Sequence, residues 1–380
     1  MRAWVPQRIF FIVFFSGLLA ASSAAQVQAN QGASNSRDAE HQQAPEQSLA
    51  PLPVFEFHSG FWMNLHHFLY QQARLRKSLS PAASGASPAG QRDEGARAAG
   101  PAQVSTSALT AEEKTTWTAA LDYYAEDLAG RDLLVNGDMV NIKNRLAEME
   151  TCADLSGRSA GVCASGLRRE LIGVLERAAP VYRERWWEEH DRTNRSWIAD
   201  VAPVVRQMGG GVAQRLSAVY RADWPTERLR VDVVFYGGPF GAYTSLDPVH
   251  LTISSSDSRN QGQAALEVLF HEASHALAGA VRDAIVRECR QRGKPIPRDL
   301  WHALLFYTTG EIVKRALQRE KAAPQDAVAG TDTYMPYAYR YGLYARGWSN
   351  YQRLLERYWQ PYLDGKTDFE TALARVVSAL

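Results

Sequence analysis

Five consecutive residues, His271-Glu272-Ala273-Ser274-His275, constrain this chain more than any other feature. They lie inside an apolar pattern, predicted to be one long helix over 261–292, that includes Leu266, Val268, Leu269, Phe270, Ala273, Ala276, Leu277 and Ala278. Residues four apart on a helix stand one turn apart on one face, so both imidazoles reach toward the same point. Glu272 is rotated ~100° from His271 and lies beside them. A helix that is apolar over much of its circumference is buried, and it does not carry two histidines and a carboxylate unless they have partners. The chain must therefore fold so that these three polar side chains find a partner.

Upstream, the periodicity changes. Residues 229–236 are β-branched and aromatic and end at Gly237-Gly238-Pro239, which predicts a strand; Tyr243-Thr244 and 250–255 predict one or two more. The first half is predominantly helical. Phe61, Leu65, Phe68 and Leu69 fit a helical period within the aromatic segment 57–77. Thr110-Ala-Glu-Glu113 is a capping box ahead of Trp117, Leu121 and Tyr124. Further helical patterns cover 138–150, 165–195 and 197–221, the last expected to break at Gly209-Gly210-Gly211. The expected class is α+β, mostly α-helical, with a small β-sheet preceding the helix that carries the two histidines.

Apolar residues make up 46% of the 380 and charged residues 22%, which excludes a wholly disordered chain, a coiled coil and a multi-span membrane protein. Lys+Arg is 42 against 41 Asp+Glu, a balance of +1 that argues against a nucleic-acid partner. Arg2 and Arg8, the apolar run 9–20 and the small residues Ser22-Ser23-Ala24-Ala25 predict a secretory signal peptide over 1–25. That run is shorter than the ~20 residues a bilayer span needs, so no stable membrane span is expected after cleavage, and the expected location is periplasmic or secreted. Residues 26–53 read as a disordered leader and 80–107 as a flexible insert, both poor in side chains able to form a core. The expected organisation is a helical region over 54–225 and a second domain over 226–380. Cys152 and Cys163 enclose a loop containing Gly157 and Gly161, and export favours a disulfide between them; Cys289 reads as a buried thiol.

Neutral imidazole is a good zinc ligand, and two of them at this spacing predict one bound Zn2+, held by His271 and His275, with Glu272 facing a water rather than the ion. Two histidines leave zinc under-coordinated. The extended metzincin pattern wants a glycine and a third histidine three and six residues further on; Ala278 and Val281 stand there instead. After a turn at Gly293-Lys-Pro-Ile-Pro297, a second helical pattern over 298–320 carries His302, Tyr307 and Thr309-Gly310-Glu311. Glu311 lies in an apolar setting, where a carboxylate is costly unless paired or metal-bound. His302 is the rival on the same helix, two and a half turns away; Asp283 and Glu288 would have to curl back.

On His271-Glu-x-x-His275 and Thr309-Gly310-Glu311, the stretch 230–345 resembles the gluzincin metallopeptidases. The resemblance implies a zincin-like domain, zinc held by His271, His275 and Glu311, and Glu272 as catalytic base in hydrolysis of a peptide or protein substrate. Tyr307, one turn before Glu311, is the expected oxyanion donor, with Tyr334, Tyr337, Tyr339, Tyr341 and Tyr344 as alternatives; Arg340 or Arg346 would bind a substrate carboxylate. Two other readings compete: a non-catalytic metal-containing envelope binding protein, and a zinc amidase or esterase. Glu272 favours an enzyme, because a closed structural site has no use for a carboxylate beside an open position. His250 is expected at a strand edge, and His58, His66 and His67 as partly exposed or hydrogen-bonded core residues. Neither a Walker A pattern nor G-x-G-x-x-G occurs, so no nucleotide cofactor is expected.

Overall fold

The computed structural model describes residues 54–79, 104–158, 163–321 and 334–380. The predicted signal peptide and leader, most of the 80–107 insert and residues 322–333 lie outside the described residues. Four strands, β1 (Phe55–His58), β2 (Leu229–Val234), β3 (Ala242–Leu246) and β4 (Val249–Ser254), form one sheet in the order β1-β2-β4-β3. β1 runs parallel to β2 and β2 to β4, while β3 closes one edge antiparallel to β4. Alternation along β2 sends Val231 and Val233 to one face and Asp232 and Val234 to the other. β1 is an element the helical periodicity conceals, since its four residues run directly into an aromatic helix. Its pairing with β2 ties a segment expected in the helical region to the sheet expected in the second domain. Both belong to one compact unit, Leu49–Leu380.

Helices cover both faces of the sheet. On one side α1 (Phe61–Leu79), α2 (Ala111–Tyr123), α3 (Gly137–Glu148) and α4 (Arg169–Tyr182) share a core in which Trp117, Tyr124, Leu175 and Tyr182 meet Val234 and Tyr243 of the sheet. α2 starts at the expected capping box: the Thr110 side chain accepts from the Glu113 amide and the Glu113 side chain from that of Thr110. On the other side α5 (Glu188–Tyr220), α6 (Gln263–Ser274), α7 (Gly279–Gln291), α8 (Leu300–Lys321) and the short C-terminal helices α9 (Tyr337–Arg340), α10 (Ser349–Leu354), α11 (Gln360–Leu363) and α12 (Phe369–Ser378) enclose a larger core. There Val231, Val233, Leu251 and Ile253 pack with Leu216, Leu269 and Leu304. The molecule is thus mostly helical with a small sheet, as the α+β expectation requires. No helix of the described residues is long and apolar enough to cross a membrane.

Two helix expectations are corrected. α5 runs unbroken through Gly209-Gly210-Gly211. A Cβ on Gly209 would lie 2.9 Å from a Val54 methyl and 3.7 Å from the Phe270 ring, so this glycine admits the close approach of the residue before β1 and of α6 rather than ending the helix. The single helix expected over 261–292 is instead two. After Ser274 the amides of His275, Ala276 and Leu277 bond carbonyls three residues back, a tightened turn that ends α6 before α7 begins. Cys152 and Cys163 are joined in a disulfide, and Cys289 is buried and free.

Candidate metal centre

α6 is buried from Ala264 to Ser274, and its residues divide by face. Leu266, Leu269, Phe270 and Ala273 enter the core, whereas His271, Glu272 and His275, together with Val268 at the core's margin, line a cleft of about 570 Å³. That second set follows the i, i+3, i+4, i+7 spacing of one helical stripe. The tightened turn carries His275 at the very end of the helix.

The third imidazole comes from α8, which packs directly on α6. His302 Nε2 lies 3.2 Å from His271 Nε2, and one ring nitrogen from each of His271, His275 and His302 falls within 4.8 Å of the others. Among the described residues no other three His, Cys, Asp or Glu side chains converge in this way. Zinc–nitrogen bonds of 2.0–2.1 Å at tetrahedral angles separate two nitrogens by about 3.3–3.4 Å, so the His271–His302 spacing suits a shared ion. Burial, reinforced by the two neighbouring histidines, holds His271 well below the ordinary imidazole range. Burial also lowers His275 to about 3 and His302 to about 4. All three rings are therefore neutral at neutral pH, the state in which imidazole ligates a metal.

Aromatic rings form the walls. Phe306, one turn after His302, stacks on His271 with centroids 3.7 Å apart and planes at 21°. Trp301 meets His275 edge-on, and Trp348 meets His302 in the same way. His271 Nδ1 is buried without a hydrogen-bond partner, so stacking rather than an outer acceptor fixes that ring.

Glu272 is held from the sheet. Thr244 Oγ1 of β3 lies 2.7 Å from Glu272 Oε2 and 2.9 Å from its carbonyl oxygen. Oε2 is 3.9 Å from His275 Nε2. Burial raises the Glu272 carboxyl to about 7, against the opposing pull of the Thr244 hydrogen bond and of the Lys143 ammonium. Lys143 reaches in from α3 to the far face of the sheet, where Nζ donates to Ser245 Oγ at 2.5 Å and to the His250 carbonyl at 3.2 Å. Burial lowers Lys143 to about 7, while Asp232 and Glu272 favour its charged form. Asp232 is fully buried; Arg230 at 2.8 Å and His250 Nε2 grip its carboxylate, and they hold it well below the usual range despite its burial. A layer of paired charge therefore lies beneath the strand that anchors Glu272.

Glu311 does not join the histidines. It is nine residues from His302 on α8, which places it half a turn around and about 13 Å along the axis, so one ion cannot reach both. Its carboxylate accepts from Lys314 Nζ at 3.2 Å and lies outside the cleft lining. Tyr307 is likewise turned away: next to Phe306, it faces a different side of α8 and donates to Gln360 Oε1 at 2.6 Å. Of the alternative tyrosines, only Tyr337 lines the cleft. Tyr334 donates to Glu267 Oε2, Tyr339 to Glu356, Tyr341 packs on Tyr337, and the Tyr344 hydroxyl is buried without a partner. Arg346 lines the cleft and Arg340 does not. Glu288 pairs with Arg292.

His250 is the second residue of β4, buried against Asp232 and outside the cleft lining. His66 bonds the Tyr124 hydroxyl, His67 bonds the Met63 carbonyl and the Tyr243 hydroxyl, and His58 bonds Glu150, all as packed or part-buried polar groups. Nothing in a strand alternation marks Thr244 as the residue that holds Glu272, and nothing in an aromatic count marks Phe306 and Trp348 as the rings that line the cleft. Set against known proteins, the chain matches no family model, no curated protein and no solved structure.

Proposed function

We propose that this protein is an exported zinc-dependent peptide hydrolase of zincin-like architecture, with His271, His275 and His302 as the metal ligands and Glu272 as general base. The observation that carries the reading is the convergence of three neutral imidazoles beside a buried carboxyl group in one aromatic-walled cleft. When bound, zinc supplies Lewis acidity and an acidified water at neutral pH. Glu272 would take the proton from the attacking water and pass it to the leaving nitrogen. Thr244 fixes Oε2 and leaves Oε1 to exchange that proton. The Tyr337 hydroxyl, which also meets the Arg259 side chain, would be the donor for the developing oxyanion. Its backbone amide is anchored to Glu267 Oε2 at 2.9 Å, and its ring stacks on Phe306. Phe306, Trp301 and Trp348 keep bulk water from the ligand nitrogens.

The test is cleavage of a diverse peptide mixture, read by mass spectrometry, by zinc-loaded wild type and by Glu272→Gln. Hydrolysis by wild type alone is the expected result. Silence from both with zinc still bound would turn the reading toward a binding protein or a hydrolase of another bond, and equal activity would remove Glu272 from its role.

A further inference from the structure

Among the described residues six large apolar side chains are exposed, and three of them stand on two turns beside the cleft: Leu134 (36%), Val135 (82%) and Phe240 (38%). Leu134 and Phe240 both line the cleft that holds the histidines. Exposed apolar tips of this kind collapse onto the surface unless the backbone holds them out, and both turns are built to do so. In the first, Asp132 Oδ1 accepts from the amides of Leu134 at 2.7 Å and Val135 at 3.2 Å, while Leu133 is buried as an anchor. In the second, Gly238 adopts φ +95°, its carbonyl accepts from the Gly241 amide, and Arg259 Nη2 holds the Pro239 carbonyl at 3.3 Å. Arg259 is itself clamped by Asp257 at 2.6 Å.

A second cavity of about 90 Å³ opens between the two tips and shares Leu134, Phe240 and Tyr243 with the main cleft. The two cavities therefore adjoin at Leu134, Phe240 and Tyr243, and Arg74, Arg131 and Asp132 also line the second. β3 begins two residues after Phe240 and is the edge of the sheet, so an extended chain is the ligand whose shape suits both features. We infer that the Leu134–Val135–Phe240 rim is a subsite for a large apolar side chain of an extended polypeptide, remote from the group held at the histidines. The inference rests on the proposed peptide-hydrolase reading, and its occupant is a substrate segment rather than a second copy of the chain.

The test uses Glu272→Gln in the full mature chain and fluorescein-labelled twelve-residue peptides of Ser and Gln carrying one Phe, or two Phe at varied spacing, with affinity read by anisotropy. At one spacing the second Phe tightens binding by about tenfold or more, as burial of a large apolar side chain predicts. Phe240→Ser and the double variant Leu134→Ser/Val135→Ser abolish the difference between the two-Phe and one-Phe peptides measured on the same variant; Ile296→Ser, an exposed apolar residue elsewhere, keeps it. Val135→Ser alone, at a position with almost no packing to lose, guards against misfolding and reduces the gain in part. A gain that survives the rim substitutions overturns the inference, as does the absence of a gain at every spacing. A rim substitution that converts a dimer to a monomer in sedimentation while peptide binding stays unchanged also overturns it. A gain lost at the rim, together with no hydrolysis by wild type, upholds the subsite and sinks the hydrolase reading.

Discussion

Thr244 of the edge strand holds Glu272 by two oxygens at once, the side-chain Oε2 at 2.7 Å and the main-chain carbonyl at 2.9 Å. One hydroxyl thereby links the sheet to the residue assigned as base and sets the direction of its carboxyl group. Thr244→Val keeps the shape and removes the hydroxyl. A hydrogen bond to an ionisable group is worth about 1.5–3 kcal/mol, so kcat should fall by roughly ten- to a hundredfold. KM and zinc content should change little. Steady-state kinetics beside metal analysis of the same preparation checks this, and a parallel loss of zinc would mean that Thr244 supports the fold of the site rather than the base.

Glu267, one turn before His271, is a buried carboxyl group with a structural task. It accepts from the Tyr334 hydroxyl at 2.7 Å and the Tyr337 amide at 2.9 Å, and so ties the cleft wall to α6. Burial raises its pKa to about 7, with Glu311 adding to the shift and the two hydrogen bonds opposing it. The unfolded chain titrates it near ~4.3. A raised acid contributes fully below the unfolded value and loses that contribution as pH rises through the folded one, so the loss runs from about pH 4.3 to 7. Glu267→Gln preserves an acceptor and does not ionise. The stability of metal-free wild type relative to Glu267→Gln should therefore fall by up to about 3 kcal/mol between pH 5 and pH 8 in denaturant titrations. A difference independent of pH contradicts this account of Glu267.

Gly310 is fixed by its neighbours rather than by its backbone. A Cβ there would lie 2.7 Å from Pro336 Cβ and 3.0 Å from Glu267 Oε1, which forces α8 away from α6 and from the segment that bears Tyr337. Gly310→Ala should destabilise the protein by about 1–3 kcal/mol despite its better helix propensity. It should also weaken zinc binding, because α6 and α8 carry the three histidines between them. Thermal unfolding with and without zinc checks both effects.

How much of this was legible in the sequence depends on the kind of information each residue carries. His271, Glu272 and His275 declare themselves by local spacing, because one helix supplies all three and its apolar surroundings require burial. The strands at 229–236 and 250–255 declare themselves by β-branched content. The third imidazole is a contact between two helices, and its choice turns on which face of α8 meets α6. Periodicity gives that only in part: His302 and Phe306 share a stripe, and Glu311 lies half a turn off it. A carboxylate in an apolar run made Glu311 attractive, yet Lys314, three residues on, was sufficient to satisfy it. Gly209 and Gly310 misled or stayed silent for one reason. Glycine marks both helix breaks and close contacts between helices, and only the neighbours in space distinguish the two.

In the proposed metal centre three imidazoles hold the ion, with His302 as the third. Zinc content and affinity measured for wild type, His302→Ala and Glu311→Ala, by mass spectrometry of dialysed protein and competition against a chromophoric chelator, test it most directly. Wild type and Glu311→Ala should bind one ion with similar affinity, while His302→Ala should lose the ion on dialysis. Retention of zinc by His302→Ala together with its loss from Glu311→Ala would contradict it.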